Sequence, residues 1–416
     1  MEISVVVELP YGNGVERVRL PGDGACEFLD VEDSPGGGGQ DLVLRAIAES
    51  RPGLDSHVKS GDSVALVVSD YSRATGTEVY VPLLVDAMMR NGVKADRITI
   101  IVALGLHRPA TIDEMRTLVT PDVYSQVRVV NHDPDADLLA FKGTALSQHL
   151  LDADKIILTG SVTFHPMAGF SGGYKSILPG VASRGDIIRN HEKFFSGVMP
   201  HPGVGPGMVD DNPVLGDILV RCRPLHPVYC LNVVLDQNKQ ITFASAGLVE
   251  DAWGACCRHV RSCYSLVVNE VYPLVIASAG GFPADYSFYQ CMKVLSNASR
   301  ACEAGGDLVI LAECSHGWEI DRELFSMFSL TMEDAAAGLL QDFRMDALAV
   351  YMARRVIGRH RVHFHSSLPP DEVAATGMMP TGHLETTIND RFSGRGKFAV
   401  IPHGAKILPV LEQRME

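Results

Sequence analysis

Strand-length apolar runs alternate with amphipathic stretches along the chain. Continuous apolar runs, typical of strands that are buried on both faces, occur at 63–69, 97–103 and 155–160. Apolar residues at helical spacing occur at 79–91 and again at 245–262. Because strands that alternate with helices form mostly parallel, doubly wound sheets, the pattern predicts an α/β fold.

A second alternation of the same kind begins with the apolar strand predicted at 273–278, which a predicted helix at 286–304 follows. We therefore expect two domains, each built on a mostly parallel, doubly wound sheet, with the active site in the cleft between them. The predicted boundaries give an N-terminal domain of 1–262 and a smaller C-terminal domain of 263–416. Whether the last strand of the chain returns to the N-terminal domain is left open.

Charge and composition narrow the classes of partner. The net charge of −14 over 416 residues argues against non-specific binding of nucleic acid, which needs basic surface. Neither a signal peptide nor an apolar run of membrane-spanning length is found, so we expect a cytoplasmic protein without a membrane partner. The nine cysteines are odd in number and form no CxxC pair, which favours reduced thiols over disulfides or a structural zinc site.

Polar side chains follow three of the predicted strands at the point where each strand ends. Ligands of doubly wound sheets bind beyond the carboxyl ends of the strands, so these clusters are candidate site residues. The three clusters are Asp70 with Arg73, His107 with Arg108, and His165 with Lys175.

The stretch 163–180 combines a glycine pair with reactive side chains. Gly172 and Gly173 allow backbone N–H groups to converge on an anion, and Lys175 follows after one further residue. The spacing differs from a Walker P-loop, because a tyrosine separates the second glycine from the lysine. The pattern favours a phosphate-holding site with chemistry beside it over a tight turn with a solvated lysine.

Four motifs resemble those of the nickel-dependent lactate racemase family, in the same order over nearly the whole chain. SDYSRATG and LGLHRP lie at the first two strand ends. FHPMAGFSGGYKSILPG, followed by Asn190 and His191, is similar to the long central signature of that family. AGGFPADYSFYQCMK, in the predicted C-terminal domain, resembles a fourth family motif.

The resemblance implies a nickel-pincer nucleotide, which is a pyridinium mononucleotide with two sulfur arms, loaded by dedicated cofactor-biosynthesis enzymes. Lys175 would hold it covalently through a thioamide, and His191 would be the protein's nickel ligand in a square-planar site, a geometry that suits Ni(II). Further residues implied to contact the nucleotide are Asp70, Ser72, Ser171, Gly172 and Gly173. Residues implied to bind the substrate are Arg73, Lys293, Gln290 and Tyr289.

The implied reaction is inversion at C2 of a small anionic 2-hydroxy acid through reversible hydride transfer. His107 and His165 would be the two acid/base groups, since imidazole titrates near neutral pH. Arg73 suits the substrate carboxylate because guanidinium is a bidentate donor. Whether the product is an enantiomer or an epimer, and how many chains assemble, is left open.

Departures from the family pattern concern the substrate side. Ser72 replaces a threonine, Ala74 replaces a proline, and Tyr71 stands where the lactate enzyme has a histidine. We therefore expect a 2-hydroxy acid other than lactate. Two other functions remain as alternatives: a zinc hydrolase that uses His107, His165 and His191, and a non-catalytic nucleotide- or phosphate-binding module.

Overall fold

The computed structural model describes residues 4–21, 26–31, 38–225, 227–392 and 397–412. The chain divides into two compact units. We call Asp33–Ser196 with Pro200–Ser262 the N-unit. The C-unit consists of Met1–Glu32, Gly197–Met199 and Cys263–Glu416. This division differs from the predicted domains at the start of the chain, because Met1–Glu32 belongs to the C-unit and not to the N-terminal part. That the two predicted domains are separate folding units stays a prediction.

The strands, in chain order, are β1 (Ser4–Tyr11), β2 (Gly14–Pro21), β3 (Cys26–Phe28), β4 (Val64–Ser69), β5 (Ile98–Ala103), β6 (Arg128–Asn131), β7 (Leu138–Phe141), β8 (Thr144–Ser147), β9 (Lys155–Ser161), β10 (Phe164–His165), β11 (Gly169–Phe170), β12 (Phe195–Ser196), β13 (Met199–Pro200), β14 (Val228–Leu235), β15 (Ile241–Leu248), β16 (Ser265–Val268), β17 (Tyr272–Ser278), β18 (Cys302–Leu311), β19 (Arg361–His365), β20 (Met379–Pro380), β21 (Phe398–Ile401) and β22 (Leu408–Leu411).

The α-helices are α1 (Gly39–Glu49), α2 (Leu54–His57), α3 (Thr77–Arg90), α4 (Ile112–Val119), α5 (Pro121–Gln126), α6 (Gln148–Leu151), α7 (Arg184–His191), α8 (Pro213–Cys222), α9 (Val249–Tyr264), α10 (Met292–Ala298), α11 (Met332–Gln341), α12 (Met345–Ile357), α13 (Pro370–Ala375) and α14 (Leu384–Phe392). Short 3-10 helices cover Ala95–Arg97, Gly173–Ser176, Glu192–Phe194 and Arg322–Ser329. Within the described ranges, no helix is both long enough and apolar enough to cross a bilayer.

The N-unit is built on a six-stranded sheet in the order β15-β14-β9-β4-β5-β6. All neighbouring pairs are parallel except β14 with β15, which is antiparallel. The central strand β4 is apolar at every position before Ser69 and almost wholly buried, because α-helices such as α3 pack on the sheet. Because β9, β4 and β5 are neighbouring parallel strands, their carboxyl ends lie side by side. The mostly parallel sheet packed against helices confirms the predicted α/β architecture.

The predicted helix at 245–262 is wrong in its first part. Residues Ile241–Leu248 form β15, and α9 begins only at Val249. The small residues of this segment have weak local preference, so pairing with β14 decides its conformation. Gly247 adopts a φ of 128°, and a Cβ there would lie 2.6 Å from the carbonyl oxygen of Arg51. The pattern of apolar residues around Gly247 does not indicate this close approach of the two backbones.

The C-unit has its own six-stranded sheet in the order β20-β19-β18-β17-β21-β3, in which every neighbouring pair is parallel. The hairpin of β1 and β2 packs the side chains of Leu9 and Leu20 into a core with Leu274 and Ile276 of β17. The late strand β21 pairs with β17 and β3, and β22 pairs with β16. Both late strands thus pair with strands of the C-unit.

The predicted helix at 286–304 is also too long. Only Met292–Ala298 is α-helical, and β18 already begins at Cys302. Asp285, just before the predicted helix, is fully buried, and its carboxylate accepts from the N–H of Gly12 at 2.7 Å and of Glu313 at 3.2 Å. These contacts with distant loops fix the irregular segment that precedes α10.

Candidate active site

Three adjacent strands of the N-unit sheet carry the predicted polar clusters at one edge. Asp70 and Arg73 follow β4, His107 follows β5, and His165 lies in β10, just beyond β9. The carboxyl ends of neighbouring parallel strands share an edge, so the sheet order brings these side chains to the same side of the N-unit.

His107 and Asp70 form a hydrogen-bonded pair. The Nδ1 atom of His107 donates to Oδ2 of Asp70, and Ser72 Oγ donates to Oδ1 at 2.8 Å. Arg73 Nε lies 3.8 Å from the same Oδ1. Burial alone would raise the pKa of Asp70, but the hydrogen bond from His107, the charge of Arg73 and the Ser72 hydroxyl lower it below its ordinary value. The ionised Asp70 therefore fixes the tautomer of His107 that carries its proton on Nδ1.

His165 has the opposite arrangement of ring protons. Its Nδ1 accepts from the backbone N–H groups of Met167 and Ala168, each at 3.1 Å. These donors belong to the tight turn between β10 and β11, which pair antiparallel. A neutral His165 consequently carries its proton on Nε2. The edge of the sheet thus holds one histidine whose Nε2 accepts and one whose Nε2 donates.

The glycine pair lies where other groups approach the backbone closely. Gly172 and Gly173 adopt φ values of 79° and 57°, which favour glycine. A Cβ at Gly172 would lie 2.8 Å from Val162 Cγ2, and one at Gly173 would lie 2.9 Å from the indole ring of Trp253. The loop therefore needs glycine at both positions for steric reasons.

Two of the amides that were expected to face a phosphate already have partners inside the protein. The N–H of Gly173 donates to Asn232 Oδ1 at 2.9 Å, and the N–H of Ser171 donates to the Thr163 carbonyl at 2.9 Å. Ser171 Oγ donates to the carbonyl oxygen of Ser161 at 2.8 Å. In this conformation the hydrogen bonds of these two residues hold the loop itself.

Lys175 lies in the short 3-10 helix that follows the glycine pair. It lines a mostly apolar cleft with Leu215, Ile218 and Val249, and retains partial solvent exposure. Burial, together with the positive charge of Arg73, lowers the pKa of Lys175 to about 7. A large fraction of the amine is therefore neutral, and nucleophilic, near neutral pH.

His191 is the last residue of α7 and is 4% exposed. Its Nδ1–H donates to the carbonyl oxygen of Ile187 at 2.7 Å, which leaves the lone pair on Nε2. Burial lowers the pKa of His191 to about 4, and the charge of Lys175 acts in the same sense. A buried neutral imidazole whose other nitrogen is fixed by a carbonyl is the form that ligates metals.

Tyr289, Gln290 and Lys293 lie in the C-unit, on the segment between β17 and β18. The backbone N–H of Tyr289 donates to the carbonyl of Trp318 at 3.2 Å, and Lys293 is the second residue of α10. Their expected contacts with the substrate remain predictions.

A zinc site of three histidines is not formed. Among the residues that the structure describes, which include His107, His165 and His191, no group of three or more His, Cys, Asp or Glu side chains is placed to hold a metal ion. A single histidine ligand from the protein would be enough for a metal ion whose other ligands belong to an organic cofactor.

Two residues around Lys175 were missed by sequence reasoning. Asn232 lies in the middle of the otherwise apolar β14, and Trp253 lies on α9. The sequence shows Asn232 as a polar residue within an apolar run, which indicates a hydrogen-bonding role, and the structure buries all eight positions of β14. The contact of Trp253 with Gly173 has no such signal, because the two lie far apart in the chain.

Comparison with known proteins shows the family of this chain. Residues 11–200 match the family model of the lactate racemase N-terminal domain, and residues 268–408 match that of the lactate racemase C-terminal domain. The chain belongs to the lactate racemase family. It is therefore a racemase-type isomerase, and this family membership implies a small hydroxy acid as substrate.

Individual relatives support the lactate racemase assignment. The chain is 29% identical over 327 residues to a lactate racemase from Thermoanaerobacterium thermosaccharolyticum, with 75% of each chain covered. It is 26% identical over 374 residues to one from Lactiplantibacillus plantarum, covering 85% of this chain and 87% of the relative.

Solved structures agree at the level of the fold. The lactate racemase apoprotein from T. thermosaccharolyticum matches 98% of this chain and 100% of its own with a TM-score of 0.86 and 25% identity. A Thermotoga maritima protein shares the fold with a TM-score of 0.68 and 17% identity, covering 91% of this chain and 100% of its own.

Proposed function

We propose that this protein inverts C2 of a 2-hydroxy acid other than lactate by reversible hydride transfer, with a nickel-pincer nucleotide attached to Lys175. When bound, that cofactor supplies the metal and the hydride acceptor. The observation that carries the proposal is the grouping in the N-unit of a lysine with a lowered pKa, a buried neutral imidazole and a histidine–aspartate pair.

The residues present fit the cofactor in two respects. Lys175 with its lowered pKa offers the unprotonated amine that a thioamide linkage requires. His191 is a buried neutral imidazole whose Nδ1–H is bound to the Ile187 carbonyl, which suits a metal that needs a single protein ligand through Nε2. Asp70, Ser72, Ser171, Gly172 and Gly173 remain predicted nucleotide contacts, although the amides of Ser171 and Gly173 are engaged within the loop.

Proton transfer is assigned to the two histidines. His107 takes the hydroxyl proton on Nε2, and ionised Asp70 stabilises the imidazolium that results, as an orienting carboxylate does in other acid/base pairs. His165, just beyond β9 at the same side of the sheet, is assigned to the other face of C2. To take a proton on Nε2, its ring has to move its own proton to Nδ1 and give up the hydrogen bonds from the N–H groups of Met167 and Ala168. Arg73, whose side chain is 44% exposed, binds the substrate carboxylate, and Tyr289, Gln290 and Lys293 complete the predicted contacts.

The substrate side differs from the lactate enzyme near Tyr71. The Arg108 guanidinium lies 4.1 Å from the centre of the Tyr71 ring. Arg108 also forms a two-pronged hydrogen bond with the Glu114 carboxylate at 2.7 and 2.9 Å. Because Arg108 is held by Glu114, Arg73 is the better candidate for the substrate carboxylate. A tyrosine stacked in this way replaces a smaller, polar side chain, which supports a substrate other than lactate.

The test is to co-produce the protein with the enzymes that make the nickel-pincer nucleotide. We expect a Lys175 peptide that has gained the mass of the nucleotide, about one nickel per chain, and racemisation or epimerisation in a screen of 2-hydroxy acids. Lys175→Arg should lose the adduct and the activity, whereas Lys59→Arg, at an exposed position, should keep both. An unmodified Lys175 under conditions that load a known lactate racemase would contradict the proposal and favour the phosphate-binding module.

A further inference from the structure

Asn232 connects the sheet of the N-unit to the loop that carries Lys175. It is fully buried in β14, where its Nδ2 donates to the carbonyl oxygen of Gly160 at 3.1 Å. Its Oδ1 accepts from the N–H of Gly173 at 2.9 Å. A buried amide is costly unless it is hydrogen-bonded, and here both ends of the side chain are used. One side chain thus ties β9 to the loop.

Trp253 holds the same loop from α9. Its Nε1–H donates to the carbonyl oxygen of Ser171 at 2.8 Å. Its indole ring lies so close to Gly173 that a Cβ there would come within 2.9 Å of the ring. The ring of Phe170 meets it edge-on, with 6.4 Å between ring centroids. Ser171 and Gly173 are consequently fixed by a hydrogen bond and by packing.

The far end of the loop is fixed as well. Ser176 Oγ donates to the carbonyl oxygen of Thr159 in β9 at 2.9 Å. Lys175 therefore lies between two anchored positions, Gly173 and Ser176. Its backbone has little freedom to move, and its side chain stays in the apolar cleft that lowers its pKa.

We propose that Asn232 and Trp253 are positioning residues that clamp the loop of Ser171–Ser176 so that the amine of Lys175 is presented for covalent attachment of the cofactor. In that step the amine would form a C–N bond to the carbon of a thiocarboxylic acid arm, and the C–O bond would break with release of water to leave the thioamide. This inference rests on the proposed function for the attachment step, but the clamp itself is a property of the protein alone. It also assigns the amide of Gly173 to Asn232 rather than to a phosphate.

The first experiment measures amide hydrogen exchange of the unloaded protein over the peptide that contains 170–177. Trp253→Phe keeps a ring against Gly173 but removes the N–H donor, and Asn232→Ala removes both amide bonds. Since one hydrogen bond is worth about tenfold in an opening equilibrium, we expect exchange in this peptide to be about tenfold faster in Trp253→Phe and faster still in Asn232→Ala.

Matched controls come from the C-unit. Trp318 also donates through Nε1, to Glu372 at 2.7 Å, and the buried Asn297 donates to the Gly404 carbonyl at 3.0 Å. Trp318→Phe and Asn297→Ala should leave exchange in the 170–177 peptide unchanged. If these controls accelerate it as much as the clamp variants do, the effect is general destabilisation and the clamp is refuted.

The second experiment follows the rate at which the Lys175 peptide gains the cofactor mass in each variant. We expect about tenfold slower attachment in Trp253→Phe, whereas Trp318→Phe, which also loses one indole hydrogen bond and should have a similarly lowered thermal midpoint, should attach the cofactor like the unmodified protein. Faster exchange together with unaltered attachment would overturn the positioning role. If the parent protein gains no cofactor, the proposed function fails, whereas the exchange result still decides whether the clamp exists.

Discussion

Single side chains at the edge of the N-unit sheet differ in ways that no motif reveals. His107 donates through Nδ1 to Asp70, whereas His165 accepts at Nδ1 from Met167 and Ala168. Both histidines stand in motifs that resemble the same family signature, and both were predicted as acid/base groups. The hydrogen bonds show in addition that the neutral ring of His107 carries its proton on Nδ1, whereas that of His165 carries it on Nε2.

This difference predicts distinct nitrogen-15 NMR spectra. In the unloaded protein at a pH above the histidine range, His107 should show the Nδ1–H tautomer and His165 the Nε2–H tautomer. His201, whose Nδ1 also accepts a backbone N–H, from Gly203 at 3.1 Å, is the internal reference for His165. His107→Gln and His165→Gln provide the assignments. Identical tautomers for the two rings would contradict the assigned hydrogen bonds.

Replacing Asp70 with asparagine separates two roles for this residue. If Asp70 chiefly orients His107 and stabilises its imidazolium, Asp70→Asn should lower kcat by about 100-fold or more while the Lys175 adduct still forms. If Asp70 chiefly holds the nucleotide, the adduct itself should be lost. Because the carboxylate is buried and paired with His107, we expect the first result. Measuring kcat beside the adduct mass decides between them.

Lys175 should react as an unusually acidic ammonium group. Its pKa is lowered to about 7, so the neutral amine predominates above that pH instead of only in strongly alkaline solution. In the unloaded protein, acylation of Lys175 followed by mass spectrometry should rise with pH to a midpoint near 7. Arg73→Gln should move the midpoint upward, because it removes a neighbouring positive charge. A midpoint near the ordinary lysine pKa of about 10.4 would contradict the burial argument.

At the scale of elements, local signals were sufficient where the partners are near in sequence. The strands β4 and β5 follow from their apolar runs, and the start of α4 follows from Thr111 with Glu114 three residues later. Periodicity failed for β15 and for the segment before α10. In both cases distant partners, Arg51 for β15 and Gly12 for the loop around Asp285, determine the backbone.

The same limit applies to the candidate site. The resemblance named Lys175 and His191, because both lie in a long contiguous signature. Asn232 was not found, although it interrupts an apolar strand, since nothing local shows that its partner is the amide of Gly173. The geometry that lowers the pKa of Lys175 depends on helices α8 and α9, which contribute apolar side chains from later in the chain. The motifs therefore identified the reactive groups, but the surroundings of those groups could be described only from the folded structure.

The capping box of α4 offers a test at this scale. Thr111 Oγ1 accepts from the N–H of Glu114 at 3.2 Å, and the Glu114 carboxylate accepts from the N–H of Thr111 at 2.7 Å. Thr111→Ala should destabilise the N-unit by about 1 kcal/mol in denaturant unfolding. Thr117→Ala, which alters an exposed hydroxyl bonded only to the preceding turn at 2.9 Å, should change stability by less than half as much. Equal effects would show that the cap contributes nothing specific.

At the scale of the whole molecule, the first residues of the chain pack with residues that lie far later in the sequence. The hairpin of β1 and β2 precedes the N-unit in sequence, yet its apolar side chains Leu9, Val18 and Leu20 are buried in the core of the C-unit. The alternation of apolar residues that gives this hairpin a buried face does not indicate which sheet that face covers.

This division predicts how fragments of the chain should behave. The fragment 38–262 contains the whole six-stranded sheet of the N-unit, so it should fold and keep a reactive Lys175, although it lacks Lys293 and Gln290 and should not turn over substrate. The fragment 1–262 should be less soluble, because Leu9 and Leu20 would lose burial worth about 1.5–3 kcal/mol each and expose an apolar face.

Light scattering and acylation of Lys175 compare the two fragments. Replacing Leu9 and Leu20 with serine in 1–262 should restore solubility, because it removes the exposed apolar face without touching the N-unit. The same substitutions in the full chain should destabilise the C-unit, where these residues are buried. If 1–262 is as soluble as 38–262, the hairpin finds burial within that fragment. The predicted N-terminal domain of 1–262 would then describe the folding unit better than the division that places Met1–Glu32 in the C-unit.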